Sequence, residues 1–367
     1  MTLEQAVGAA LVLLFLADIF LTVLYARAGT GLLAPYWNRA VWAVFRMAAR
    51  LAGRWRGAVL SIGGPFIVVA LIVFWAAGLT VGAALVIRPE LGTTIRPTSG
   101  DTPTDFVTAL LVAGNSLSIV GGGNYAPHST GTRLLFLVNS LIGASVLSLV
   151  LSYLVQVYAA LRERNALALT IDLMTDGTGN AAVMLARLMP GGDPGNATSQ
   201  LGNLVGPLAA TKEAHHFYPL LFYFRFEEPA YAVSRFCFVL LDLVSLIETA
   251  LDRERYGALV DSAPVASLKR GARLLLETTD RRFERTATAT ADAVSDRRSN
   301  ESYVAATALL ERSGISVRPG GPEHYAAVRR EWEPLSRRTT PALGYEFEEV
   351  DRRPPSTGRD AEDRAFR

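Results

Sequence analysis

Three stretches of this 367-residue chain are long, apolar and nearly free of charge: residues 6–26, 57–87 and 134–161, with Asp18 the one charged side chain that interrupts their apolar run. At about 1.5 Å of rise per residue, some twenty residues cover a hydrocarbon layer of roughly 30 Å, and within such a layer a helix satisfies its own backbone. Each stretch therefore predicts a transmembrane helix, and the second and third are long enough to tilt or protrude. The first is expected to be retained rather than cleaved as a leader. No basic residue precedes it, its apolar run is too long, and no clear small-residue cleavage site follows.

Charge sum excludes little, but charge position is informative. Lys and Arg total 36 against 34 Asp and Glu, which lacks the basic excess that a nucleic-acid partner would need. Between the first two apolar stretches lie Arg27, Arg39, Arg46, Arg50, Arg54 and Arg56 with no acid, whereas residues 88–133 mix arginines with Glu90, Asp101 and Asp105. The positive-inside rule places the basic loop in the cytoplasm, hence the N-terminus outside and the C-terminal half inside, in a multi-pass protein of the cell (inner) membrane. Within residues 29–56, Arg39, Arg46, Arg50 and Arg54 share one helical face while Trp37, Val41, Val44, Phe45, Ala48 and Trp55 fall mainly on another. That pattern reads as an interfacial helix touching membrane lipids, or else as an amphipathic helix packed on the cytoplasmic domain. Asp18 either couples its helix to neighbours or, lying toward the cytoplasmic end, pairs with an arginine of the following loop.

Between the second and third stretches runs Leu117-Ser118-Ile119-Val120-Gly121-Gly122-Gly123-Asn124-Tyr125-Ala126-Pro127. Upstream, Thr102-Pro103-Thr104-Asp105 has the form of a helix start, with Thr102 as cap and Pro103 at the first helical position. The helix expected over 102–117 is too short to cross a bilayer, so it should enter and stop at the glycines, where backbone angles closed to other residues become available. Non-helical backbone at that depth survives only where it lines a polar cavity, which points to carbonyls turned toward a cation.

The order of span, capped short helix, glycine loop and span resembles the tetrameric potassium channel family in its bacterial two-span-per-pore form. The family filter reads Thr-Val-Gly-Tyr-Gly-Asp with a following proline. Here the corresponding residues are Ile119, Val120, Gly121, Gly122, Gly123 and Asn124, then Pro127, so the frame agrees at Val120, Gly121, Gly123 and Pro127. The likeness covers residues 57–161 and implies a homotetramer, an outer helix over 57–88, a filter over 118–124 and an inner helix over 133–161. It implies K+ or other monovalent cations as permeant ions, a hinge at Gly143, and a cavity lined by Ala144, Leu147, Leu151 and Val155. Three departures bear on selectivity. Ile119 removes the hydroxyl ring of the innermost ion site, Gly122 removes the aromatic that wedges the filter, and Asn124 removes the acid at the outer mouth. Three readings follow: a weakly selective cation pore, a potassium pore braced from behind by Asn115, and a non-conducting sensor or scaffold that keeps the channel fold.

The remaining half is expected to be a helical cytoplasmic domain over 162–334, broken near 176–180, 190–196, 318–322 and 352–358, with 335–367 a mostly disordered tail. Residues 231–251 are apolar, but Arg235, Asp242 and Glu248 suit a buried soluble helix better than a fourth span. The only cysteine, Cys237, sits between Phe236 and Phe238 and reads as a buried thiol. Glu213, His215 and His216 lack the spacing of a metal site and read as structural. There is no Gly-x-Gly-x-x-Gly dinucleotide motif, no cyclic-nucleotide pocket is evident, and no cofactor or catalytic group is expected. A ligand or protein partner of this domain is left unspecified. The expected fold class is an all-α membrane protein with three transmembrane helices and a re-entrant pore helix.

Overall fold

The computed structural model describes residues 2–25, 31–118, 123–283, 294–318 and 321–352. The chain divides into two compact units, one of Met1–Phe45 with Gly63–Tyr158, the other of Arg46–Ile62 with Ala159–Arg367. Residues 46–62, which include the start of the second apolar stretch, thus fold with the C-terminal half.

In the first unit, α1 (Leu3–Ile19) opens with a capping box in which Thr2 and Gln5 satisfy each other's amides, and it ends in a π-turn over Phe20–Leu24. Next along the chain come α2 (Ala34–Leu51), α3 (Arg56–Ile87), α4 (Phe106–Leu117) and α5 (Thr130–Met174), of which Arg46–Ile62 and the part of α5 from Ala159 belong to the second unit. Strand β1 (Ile95–Pro97) pairs antiparallel with β2 (Tyr125–Pro127), a short ribbon with no counterpart among the sequence expectations. Helix α1 continued by its π-turn (Leu3–Leu24), α3 and α5 are each long and apolar enough to cross a membrane, as their apolar stretches predict. Phe15 and Ile19 of α1 pack with Leu71, Trp75 and Leu79 of α3 and Val150 of α5.

Arg27 lies outside the described residues, and among the described residues the partners of Asp18 are not arginines. Its carboxylate is fully buried and accepts from the Leu33 amide at 2.7 Å, the Ala34 amide at 3.2 Å and the Trp75 indole at 2.8 Å. It therefore caps the first turn of α2, where orphan amides offer buried donors that a flexible arginine would otherwise have to supply. The faces of α2 also differ from expectation. Trp37 stacks on Phe74 at 4.4 Å and Phe45 tilts against Phe66 at 5.2 Å, but Val44, Ala48 and Trp55 are exposed along with Met47 and Leu51. One apolar face is used for packing and a second is left outward.

The second unit is helical, consisting of the end of α5 with α6 (Ala181–Leu188), α7 (Ala197–Phe217), α8 (Val233–Ala250), α9 (Arg253–Val260), α10 (Ala263–Phe283), α11 (Val294–Arg312), α12 (Pro322–Arg330), α13 (Glu333–Ala342) and α14 (Phe347–Val350). Its axis is α8, buried at every position but Glu248. The charges that argued against a fourth span all find partners: Arg235 with Asp172 at 2.8 Å, Asp242 with Arg329 at 2.6 Å and Glu248 with Lys269 at 2.8 Å. Arg329 also pairs with Glu333 at 2.8 Å and meets the Tyr325 hydroxyl at 2.9 Å, which closes a buried network. Cys237 is buried, and burial raises its thiol well above the ordinary range.

Two boundaries move. Helix α5 does not stop near 161 but runs on to Met174, because Arg164 is drawn inside and donates to the carbonyls of Leu221 at 3.0 Å and Phe224 at 3.1 Å. The tail expected from 335 is ordered as far as 352: α13 and α14 form, and Leu343, Tyr345, Phe347 and Val350 enter the core. Arg225 ties this end to the start of α3, donating to the carbonyls of Gly344 at 3.0 Å and Gly57 at 3.1 Å while stacking on Tyr345. Residues 353–367, including Pro354 and Pro355, lie outside the described residues.

His215 has no exposed surface, its Nδ1 lies 2.8 Å from the Thr211 carbonyl, and its ring tilts against Phe222. Burial, and then the nearby Arg164 cation, lower its pKa to about 3. An unfolded chain takes up this proton near the ordinary histidine value of about 6.5, while the folded chain refuses it until about 3. The contribution of His215 is thus fully present above about 6.5 and is lost as pH falls toward 3. Chemical unfolding of the full chain at pH 7 and pH 5 should show a loss of stability that shrinks in His215→Phe. An unchanged difference would assign the acid sensitivity elsewhere.

Candidate functional site

The glycine segment hangs between α4 and β2. Helix α4 starts at Phe106 with Asp105, not Thr102, as its cap, and Asp105 accepts from the amides of Val107 at 2.9 Å and Thr108 at 3.0 Å. The amide and hydroxyl of Thr108 hold this carboxylate below its ordinary range. A carboxylate collecting three donors outcompetes the Thr102 hydroxyl for the same role. The helix is 12 residues long, about 18 Å, which is short of a bilayer crossing as the sequence implied.

Helix α4 ends at Ser118, whose amide bonds to the Gly114 carbonyl at 2.9 Å. Its carbonyl end, with the negative pole of the helix dipole, therefore leads directly into the glycine segment, an arrangement that favours cations over anions there. Ile119, Val120, Gly121 and Gly122 lie outside the described residues. On the far side Gly123 has φ +146°, a region other residues rarely adopt, and a Cβ built there would fall 2.7 Å from Asn115 Nδ2. The Asn115 side chain thus stands against the returning strand, the position in which a brace would act. Asn124 is exposed and its carbonyl accepts from the Thr98 amide at 3.0 Å. Pro127 lies in β2 opposite Ile95. Both flanks of the segment are accordingly fixed, one by a helix end and the other by a two-stranded ribbon.

Behind the segment, α4 rests on α5. Asn139 Nδ2 donates to Ser116 Oγ at 2.9 Å, and both side chains are buried. Neither residue stood out in the sequence, although an asparagine within an otherwise apolar stretch was the available signal. Gly143, read as a hinge, sits in unbroken helix, and a Cβ there would come within 1.7 Å of the Leu117 carbonyl oxygen, so close packing also calls for glycine. A cavity of about 390 Å³ opens alongside, lined in part by Asn115, Ser116, Ser118, Gly123, Phe136 and Ser140. Further along α5, Ala144, Leu147, Leu151 and Val155 form an outward stripe, the last three being 46%, 54% and 68% exposed. Only 11% of the apolar window of α5 is buried in the chain, against 39% for α3, so α5 offers most of its surface to something outside one chain.

Comparisons with protein-family models, with curated proteins and with solved structures give no match. What the fold itself defines is an all-α membrane protein with three membrane-length helices among the described residues, carrying a short capped helix and a glycine segment between the second and third of them.

Proposed function

We propose that this chain is one subunit of a homotetrameric, potassium-channel-like cation channel of the cell membrane, conducting K+ or other monovalent cations through backbone carbonyls of residues 118–124. The observation that carries the reading is the pair of supports around the segment. Helix α4 delivers its carbonyl end on one side, and Asn115 stands against the left-handed Gly123 on the other. One segment per chain makes several chains necessary to surround an ion. The exposed stripe of α5 gives each copy a surface to turn toward the shared axis, with leucine and valine rings that suit gating by dewetting. With Ile119, Gly122 and Asn124 in place of the usual hydroxyl, aromatic and acid, selectivity is altered or weak. The arginine-rich connection and the C-terminal unit lie in the cytoplasm by the charge rule.

Potassium flux into proteoliposomes tests this directly. The wild-type protein should conduct, and Gly121→Trp, which fills the centre of the segment, should reduce flux to background without preventing assembly. Folded tetramers that pass no cation at any voltage or pH would overturn the proposal and leave a membrane-bound scaffold.

A further inference from the structure

No acidic residue occurs from 19 to 89, yet arginines recur at Arg46, Arg50 and Arg54, where α2 ends and a single 3-10 turn leads into α3. Arg46 and Arg50 are four apart on one helix face and therefore repel each other. Burial, and then the charge of Arg50, lower the pKa of Arg46. The next arginine differs, because Glu346 pairs with Arg56. Among the described residues no carboxylate serves the other three in this way. Beside them Met47, Leu51 and Trp55 stand 62%, 87% and 61% exposed, and the Arg54 guanidinium lies over the Trp55 ring at 5.3 Å.

A patch with three unpaired cations and three outward apolar side chains is poorly suited to water alone. It stands at the polar end of α3, whose uncharged run begins at Gly57, so in a membrane it lies at the level of headgroups. An acidic protein would answer the charges but leave the apolar side chains without a hydrocarbon layer. We propose that Arg46, Arg50 and Arg54 bind the phosphate-bearing headgroups of anionic phospholipids while Met47, Leu51 and Trp55 enter the acyl boundary beside them. The inference rests on the membrane-length helices and is independent of conduction.

The test uses the full chain in mixed micelles holding equal amounts of phosphatidylglycerol and phosphatidylcholine, with the retained lipid counted after purification. Wild-type protein should retain phosphatidylglycerol in excess. The excess should fall on the order of five-fold for each arginine replaced by glutamine, and should weaken as salt is raised. A triple Arg→Lys variant, which keeps the charges, should retain most of it. If the triple glutamine variant fails to fold, Arg50→Gln alone carries the same expectation at one step. Equal retention of both lipids by the wild type, an excess that survives the glutamine changes, or displacement of the lipid by an equal concentration of inorganic phosphate would each overturn the proposal.

Discussion

Gly143→Ala is expected to disrupt the region around the glycine segment although it adds a single methyl group. That carbon would lie 1.7 Å from the Leu117 oxygen and 2.8 Å from its carbonyl carbon, where ordinary contact begins near 3.4 Å. Neither atom belongs to a side chain that can rotate away, so α4 and α5 must part. Overpacking of this kind costs about 1–3 kcal/mol, and a backbone obstacle places the change at the upper end. The displacement would be felt one residue from Ser118 and would strain the buried bond between Ser116 and Asn139. Cation flux should therefore fall to background together with a lower thermal midpoint in detergent. Gly114→Ala is the matched control. Its nearest neighbour would be Thr80 Cγ2 at 3.8 Å, and alanine gains up to about 1 kcal/mol of helix propensity. A Gly143→Ala protein with wild-type stability and flux would show that the two helices do not approach this closely.

The large elements were legible because each announces itself within its own stretch of chain. An apolar run long enough to cross a membrane can do little else, and α8 announced itself as a buried helix through charges at spaced intervals. What escaped were choices between equivalent local signals. Thr102 and Asp105 are both capping residues, and only the arrangement of Thr108 and the neighbouring chain selects the second. The ordered end of the C-terminal unit escaped for a related reason. Averaged over 335–367 the composition is charged and proline-containing, yet Leu343, Tyr345, Phe347 and Val350 are enough to bury the stretch as far as 352. Long-range partners were not legible at all. Asn139 with Ser116 and Arg225 with Gly57 and Gly344 join positions whose separate identities carry no hint of each other. At the glycine segment the sequence supplied the candidate chemistry, while the structure supplied reasons for two glycines: left-handed backbone at Gly123 and close helix approach at Gly143.

Asp18 offers the second large effect, and its direction distinguishes a capping acid from an ion-paired one. Asp18→Ala leaves the amides of Leu33 and Ala34 and the Trp75 indole without their acceptor. Each orphaned buried donor costs about 1–3 kcal/mol, so the loss should reach at least about 3 kcal/mol, read as a lower thermal midpoint or as failure to accumulate in the membrane. Asp18→Asn should be milder, since the remaining oxygen can still accept from the start of α2 while the amide group opposes only one donor. An ion-paired Asp18 would behave otherwise, because asparagine would strand a cation and removal of the arginine would relieve it. Arg39→Gln should therefore add to Asp18→Asn without coupling, whereas Trp75→Phe, which removes one of the three donors, should couple to it by at least about 0.5 kcal/mol. Coupling to the arginine and none to the tryptophan would reverse the assignment. Because the bond to Asp18 sets where α2 begins, a cap lost here should also disturb the stacking of Trp37 on Phe74, which tryptophan fluorescence would report.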